Sequence, residues 1–305
     1  MDFVKAHGTG NDFVVLPDWD DELDLPDQLV RGLCDRRSGL GADGVLRIVA
    51  ADGDADVWMD HRNADASRPE MCGNGVRVVA KHVVDHGLVV PDGDTVRVRT
   101  RAGVKRVRIH RDAAGRVTSA TVGMGPPILD PASIPFEAPG SEAVGVTIDA
   151  AGRQVELTAV SMGNPHAVVL VDDVERCPVA ELGVAIGRHE RFPRGANVEF
   201  VELTGGGRAA VRVWERGVGE TAACGTGACA VLVAGQQLGR FEDQARLRFP
   251  GGEVVVRHVP SEDGGVTLTG DAVEVASGEL DPGWLAAIGA AETEPGQADE
   301  EATPR

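Results

Sequence analysis

A chain of 305 residues is long enough for two domains of roughly 100–150 residues, each able to bury its own core. Acidic residues outnumber Lys plus Arg by 48 to 30, a formal charge of −18, so neither nucleic acid nor an anionic membrane surface is an expected partner. No leader opens the chain and no apolar run approaches the ~20 residues that cross a bilayer, so a cytoplasmic protein is expected.

In chain order, the first signal is Gly10-Asn11 leading into the apolar run Val14–Leu16. A helical period then covers Leu25–Cys34. Gly39-Leu40-Gly41-Ala42-Asp43-Gly44 fits G-x-G-x-x-G but follows a helix and precedes a strand, the reverse of the dinucleotide-binding order, and no nucleotide fold is inferred. Cys72-Gly73-Asn74-Gly75 opens a helix over Gly73–Asp85. Alternating runs at Val96–Arg101, Val104–Ile109 and Thr118–Val122 read as half-buried strands, and the Gly/Pro-rich segment Gly123–Pro131 marks a boundary.

The second half repeats this plan. Gly163-Asn164 leads into Ala167–Val171, Val211–Trp214 reads as a strand, and Cys224-Gly225-Thr226-Gly227 opens a helix over Gly225–Leu238. Strands follow at Ala245–Phe249, Gly252–Arg257 and Val266–Thr269. Residues 72–87 and 224–239 both begin Cys-Gly-x-Gly and end in glycine, at an offset of 152. The Gly-Asn pairs recur at 153. The fold class is therefore α+β: two similar, pseudo-symmetric domains, each a mainly antiparallel sheet wrapped around a central helix. The division places one half at 1–125, completed by a returning strand near 266–285, the other at 126–265, and a disordered acidic tail at 290–305.

A pseudo-twofold axis relating the halves makes Cys72 face Cys224. Five cysteines, an odd number without framework spacing, argue against a disulfide scaffold and leave free thiols. A cysteine at a helix start lies where free amides and the helix dipole favour negative charge, so both thiols should have pKa values pulled from about 8.5 toward neutrality. The amides of Gly73, Asn74, Gly225 and Thr226 make an anion site for a carboxylate. One sulfur on each face of an α-carbon held there can remove a proton from one side while the other returns one from the opposite side. With three lysines (Lys5, Lys81, Lys105) and no phosphate-cradling loop, a pyridoxal Schiff base is not expected. No metal-ligand set accompanies the two thiols, and no metal is expected. Glu215-Arg216, before Cys224, could bind the substrate's charged groups; Asn63 takes the place of Glu215 in the first half. Asn11, Asn164 and Asn197 recur at strand ends as ligand contacts or turn residues.

HGTGNDFVVL at 7–16, GLGADG at 39–44, NADASRPEMCGNGVR at 63–77, SMGNPHAV at 161–168, GANVEFV at 195–201 and WERGVGETAACGTGACA at 214–230 together make the chain closely resemble the diaminopimelate epimerases, from about Phe3 to Ala276. The resemblance implies a cofactor-free interconversion of LL- and meso-2,6-diaminoheptanedioate in lysine biosynthesis, with Cys72 and Cys224 as the two bases, in a homodimer. It also implies that Asn11, Asn63, Asn164, Asn197 and Arg216 bind the distal end of this small amino-acid substrate. The same resemblance implies that Glu215 and a supporting His166 lie near the α-amino groups, and that Gly73-Asn74 and Gly225-Thr226 hold the reacting carboxylate. The chain departs from the family at Ala66, usually Gly, at Arg68-Pro69, and at Val78, often Cys. Two rivals follow from the residues: a proline or hydroxyproline racemase of the same fold, and a non-catalytic amino-acid-binding protein.

Overall fold

The computed structural model describes residues 1–138, 140, 143–259 and 265–288; the tail expected at 290–305 lies outside the described residues. The first half runs β1 (Asp2–Gly8), β2 (Asn11–Pro17), α1 (Asp27–Cys34), β3 (Gly44–Ala50), β4 (Val57–Asn63), α2 (Gly73–Asp85), β5 (Thr95–Thr100), β6 (Gly103–Arg111) and β7 (Val117–Gly125). The second runs β8 (Val146–Ala150), β9 (Arg153–Ser161), β10 (Pro165–Leu170), α3 (Val179–Gly187), β11 (Asn197–Gly205), β12 (Arg208–Glu215), β13 (Gly219–Thr221), α4 (Gly225–Gln237), β14 (Gln244–Phe249), β15 (Gly252–His258) and β16 (Val266–Asp271). Strand β17 (Val273–Glu279) and helix α5 (Pro282–Ala287) follow.

The strand pairings repeat as the sequence does. In the first half the ladder is β17-β1-β2-β3-β4-β5-β6-β7, with β2–β3 and β4–β5 parallel and the other neighbours antiparallel. In the second it is β8-β9-β10-β11-β12-β14-β15-β16, with parallel pairs at the matching places, β10–β11 and β12–β14. The parallel neighbours are those joined through a helix, as a crossover requires. Strand β16 closes the second ladder and also pairs antiparallel with β7, so the two sheets are one continuous hydrogen-bonded surface. The result is a two-domain, sheet-rich α+β fold with few helices.

Each sheet curls around its own helix. Helix α2 buries Val76, Val78, Val79 and Val83 at 1% exposure or less against β1–β7. Helix α4 buries Ala228 to Ala234 against the second ladder. At roughly 1.5–3 kcal/mol for each large buried apolar side chain, neither helix can leave its sheet. A helix apolar on nearly every side belongs inside a core. Gly87 and Gly239, at φ 69° and 65°, close α2 and α4 in the left-handed conformation that glycine adopts without strain. Helices α1 and α3 cover the outer faces through separate clusters around Leu29 and Leu33, and around Leu182 and Ile186.

Two features differ from the sequence reading. The returning chain is strand only to Glu279, because Asp281 caps a helix with its carboxylate on the Trp284 amide and Pro282 occupies the first turn, so the strand expected as far as 285 stops short. Helix α3 went unread because its Val179–Gly187 segment is so uniformly apolar that it has little helical period.

Candidate active site

The loop before each central helix ends in a cysteine with extended backbone. Cys72 caps α2 at φ −138°, ψ 112°, and Cys224 caps α4 at φ −125°, ψ 119°. Each sulfur accepts the amide three residues on: Gly75 N–H to Cys72 Sγ at 3.4 Å and Gly227 N–H to Cys224 Sγ at 3.4 Å. The sulfur thus takes the place an Asp or Ser oxygen usually holds at a helix start. The two starts meet: a Cβ built on Gly225 would lie 4.0 Å from Gly73 Cα and 4.0 Å from Asn74 Oδ1. A Cβ on Gly73 would lie 3.4 Å from Met124 of β7 and one on Gly225 3.8 Å from Leu268 of β16, so the seam between the sheets runs beneath the paired helix ends.

Around Cys72, Asn11 Oδ1 accepts from the Asn74 side chain at 3.1 Å and from the thiol at 3.7 Å, while Asn11 Nδ2 donates to Asp43 at 2.8 Å. Around Cys224, Thr226 Oγ1 lies 3.4 Å from the sulfur, and Glu215 accepts from Thr221 Oγ1 at 2.5 Å. His166, fully buried, contacts Asn164 Oδ1 through Nε2 at 3.1 Å and Glu199 through Nδ1 at 2.7 Å. Asn197 Oδ1 accepts the Arg216 backbone N–H at 2.8 Å. Asn63 Nδ2 donates to Ser67 Oγ at 2.9 Å, within its own loop.

The helix-start amides do lower the thiol pKa values here, but burial outweighs them. Burial pushes the Cys72 thiol up, against the amides of Gly75 and Asn74 and the nearby Arg77 cation. Burial pushes Cys224 well up, and the negative charges of Glu215 and Glu199 push it further, against Thr226 and the Gly227 amide. This corrects the expected fall toward neutrality: the sulfur is dehydrated before the dipole can act on it. Glu215 is itself raised, first by burial and then by Glu199, with Thr221, His166 and Cys224 acting the other way.

Two residues that the sequence reading passed over break the pseudo-symmetry. Beneath Gly75, at the start of α2, lies the Leu46 side chain; beneath Gly227 lies Glu199, fully buried, with Oε2 unpartnered. Leu46 and Glu199 hold matching places on β3 and β11, as Phe13 and His166 do on β2 and β10. Arg77, 0% exposed, hydrogen-bonds to Thr9 Oγ1, Asn74 Oδ1 and the Asp271 carbonyl; its counterpart in α4 is Cys229. A charged residue inside the apolar runs VRVV and NVEFV is the signal that could have found both.

His82-Val83-Val84-Asp85-His86 is a His-x-x-x-His pair at the far end of α2, likewise passed over, and it meets Glu274 of β17. A groove of about 690 Å³ lies beside it, lined by Lys81, Asp85, Arg111 and Glu274 and remote from the thiols. Among the described residues no helix is long and apolar enough to cross a membrane.

The family model for diaminopimelate epimerase matches residues 3–129 and 158–275. The diaminopimelate epimerase of Desulforudis audaxviator is 44% identical over 280 residues, covering 92% of this chain and 99% of that one. That of Leptospira biflexa is 42% identical over 282 residues, with 92% and 99% covered. Among solved structures, a probable proline racemase from Agrobacterium radiobacter has a TM-score of 0.66 at 18% identity, with 92% of each chain covered. A hydroxyproline epimerase from Agrobacterium vitis has a TM-score of 0.67 at 17% identity, with 92% of this chain and 90% of that one covered. These two share the fold.

Proposed function

The chain belongs to the diaminopimelate epimerase family, and on that footing we propose that it interconverts LL- and meso-2,6-diaminoheptanedioate through a Cys72/Cys224 thiolate–thiol pair, with no cofactor. The observation that carries this reading is the matched placement of the two cysteines at helix starts that touch. The substrate's reacting carboxylate binds the first amides of both helices, at Gly73-Asn74 and Gly225-Thr226, which also stabilise the negative charge that spreads into it as the α-proton leaves.

In one direction the Cys72 thiolate takes the α-proton and becomes a thiol, while the Cys224 thiol protonates the opposite face and becomes a thiolate. The reverse direction restores the starting pair. Arg77 beside Cys72 and the carboxylates beside Cys224 favour this resting distribution, the macroscopic titration belonging to the pair. Burial makes a thiolate scarcer but a stronger base, which suits a weakly acidic Cα–H. Glu215 and His166 face the α-amino group, and Asn11, Asn63, Asn164, Asn197 and Arg216 receive the distal amino-acid end, with Asn197 fixing the Arg216 backbone. Substrate entry requires the halves to part around the seam, since Cys224 is only 7% exposed; reclosure excludes water from the carbanion. The proposed assembly is a homodimer, checked by sedimentation.

The test is exchange of the α-hydrogen of diaminopimelate with deuterated water by the purified, reduced protein without added cofactor. Exchange with both LL- and meso-substrate is expected. Exchange with proline but not diaminopimelate would overturn the substrate assignment, and binding without exchange would leave an amino-acid binder instead.

A further inference from the structure

At the opposite end of α2 from Cys72, three potential metal-ligating side chains converge. His82 and His86 are one helical turn apart and share a face, as a metal-binding i, i+4 pair does. Glu274 reaches in from β17, the strand that completes the first sheet. His82 Nδ1 lies 2.8 Å from Glu274 Oε1, His86 Nε2 lies 3.1 Å from Glu274 Oε2, and the ring centroids are 4.3 Å apart. One ligand atom from each residue falls within a 4.8 Å set.

We propose that His82, His86 and Glu274 form a zinc-type divalent-metal site that staples the end of α2 to β17, independently of the thiol chemistry. Two imidazoles and one carboxylate are a donor set suited to zinc and its transition-metal neighbours rather than to magnesium or calcium. A tetrahedral ion with bonds of 2.0–2.1 Å holds its ligand atoms roughly 3.3 Å apart, so small side-chain shifts from the present spacing suffice. The helix end adds favourable electrostatics, because His86 follows the last turn, where carbonyl groups favour a cation. The neighbouring Lys81 ammonium is paired with Asp85 at 2.6 Å, which limits its repulsion of a metal. His82 is 3% exposed at its side chain, Glu274 23% and His86 47%, so the set is anchored on one side and open on the other. A water or a small anion could complete the coordination from the adjoining groove.

The experiment titrates the chelator-treated full-length protein, kept reduced with a non-thiol reductant, with Zn²⁺ by calorimetry and with Co²⁺ by absorption. The expected result is one equivalent bound per chain, a cobalt spectrum of nitrogen and oxygen ligands without thiolate charge transfer, and a rise in thermal midpoint with Zn²⁺. His86→Ala and Glu274→Gln should each weaken binding by at least about tenfold and abolish the thermal shift, given that even outer-shell losses cost ~10–100-fold. His86 is exposed enough for its alanine variant to stay folded, which an unchanged circular dichroism spectrum would verify. Absence of stoichiometric binding would overturn the site and leave a hydrogen-bonded clamp. Binding with a thiolate signature, or binding indifferent to His86→Ala, would place the ion on the cysteines or elsewhere and also overturn it.

Discussion

Glu199 fills the space that a side chain on Gly227 would need: a Cβ there would lie 2.5 Å from Glu199 Oε1. The carboxylate is fully buried, held by His166 on one oxygen and unpartnered on the other, directly under the turn that delivers Cys224. Its negative charge is one of the groups that keep the Cys224 proton in place. Glu199→Gln keeps the shape and removes the charge, so Cys224 should become more acidic. Site-resolved alkylation against pH should show the Cys224 profile moving to lower pH, with Cys72 changing less and only through its coupling to Cys224. An unchanged Cys224 profile would show that the charge is not felt at the sulfur. Opposing catalytic efficiencies cannot serve as this readout, because the reaction's equilibrium constant fixes their ratio.

Gly227→Ala should be disruptive for a steric reason. The added methyl meets a buried carboxylate that is tied to His166 and cannot swing into solvent, so overpacking on the order of 1–3 kcal/mol is expected. The first-half counterpart, Gly75→Ala, meets Leu46 Cδ2 at 3.2 Å and should cost less, since a leucine methyl can shift a few tenths of an ångström. Denaturant midpoints for the two variants should separate in that order.

Cys72→Ser and Cys224→Ser should each lower epimerisation by at least about 10²-fold, the lower end of what a positioned acid or base contributes. Thermal midpoints should change little, because a serine oxygen can also accept the helix-start amide. Full activity in either variant would end the two-base reading.

Asp12 of β2 pairs with Lys5 of β1 and, at 2.8 Å, with Arg36 of the loop before β3. Burial alone would raise its pKa, but the hydrogen bonds and charges of Arg36 and Lys5 win and lower it to about 2. With an unfolded value of about 3.9, the folded value is depressed, so this stabilisation is present above about pH 4 and is lost as pH falls toward 2. Asp12→Asn should therefore destabilise the protein at pH 7. The stability gap from wild type should close below pH 4; a gap constant from pH 7 to pH 2 would contradict the ionic origin.

Ala66 has φ +70°. The left-handed conformation costs a residue with a Cβ about 1–2 kcal/mol, whereas its buried methyl returns about 0.8 kcal/mol of packing at most. Ala66→Gly should raise stability by roughly 0.5–1 kcal/mol, read as a higher thermal midpoint. A lower midpoint would mean that the methyl's contacts outweigh the backbone strain.

Much of the scaffold was legible because it repeats. The two Cys-Gly-x-Gly helix starts and their closing glycines carry local signals, and their common offset implied facing halves before any distance was known. The contributions of Glu199 and Arg77 were not legible in the same way. Each breaks an apolar pattern by one residue, and its role depends on what lies across the core: Gly227 for one, Thr9 and Asp271 for the other. The thiol pKa shifts were misread because a helix start is visible in sequence, whereas the depth at which it is buried is decided by packing. Asn63 matched Glu215 by position in the repeat, yet its amide donates within its own loop, since register fixes a residue's place on a strand and not its side chain's partner.

The pairing of β1 with β17 has a consequence for how the chain is made. Residues 2–8 are synthesised before every other strand of the first sheet, but their outer neighbour at 273–279 follows only after the whole second ladder. Until then the first sheet has an open edge on β1, and its other side waits for β16. The early half must pass most of its translation with unsatisfied strand edges, the condition that invites pairing with other nascent chains. A ribosome stalled before codon 266 would therefore carry a first half that can curl around α2 but lacks both its bordering strands. Deletion of the last strand should injure the half built first.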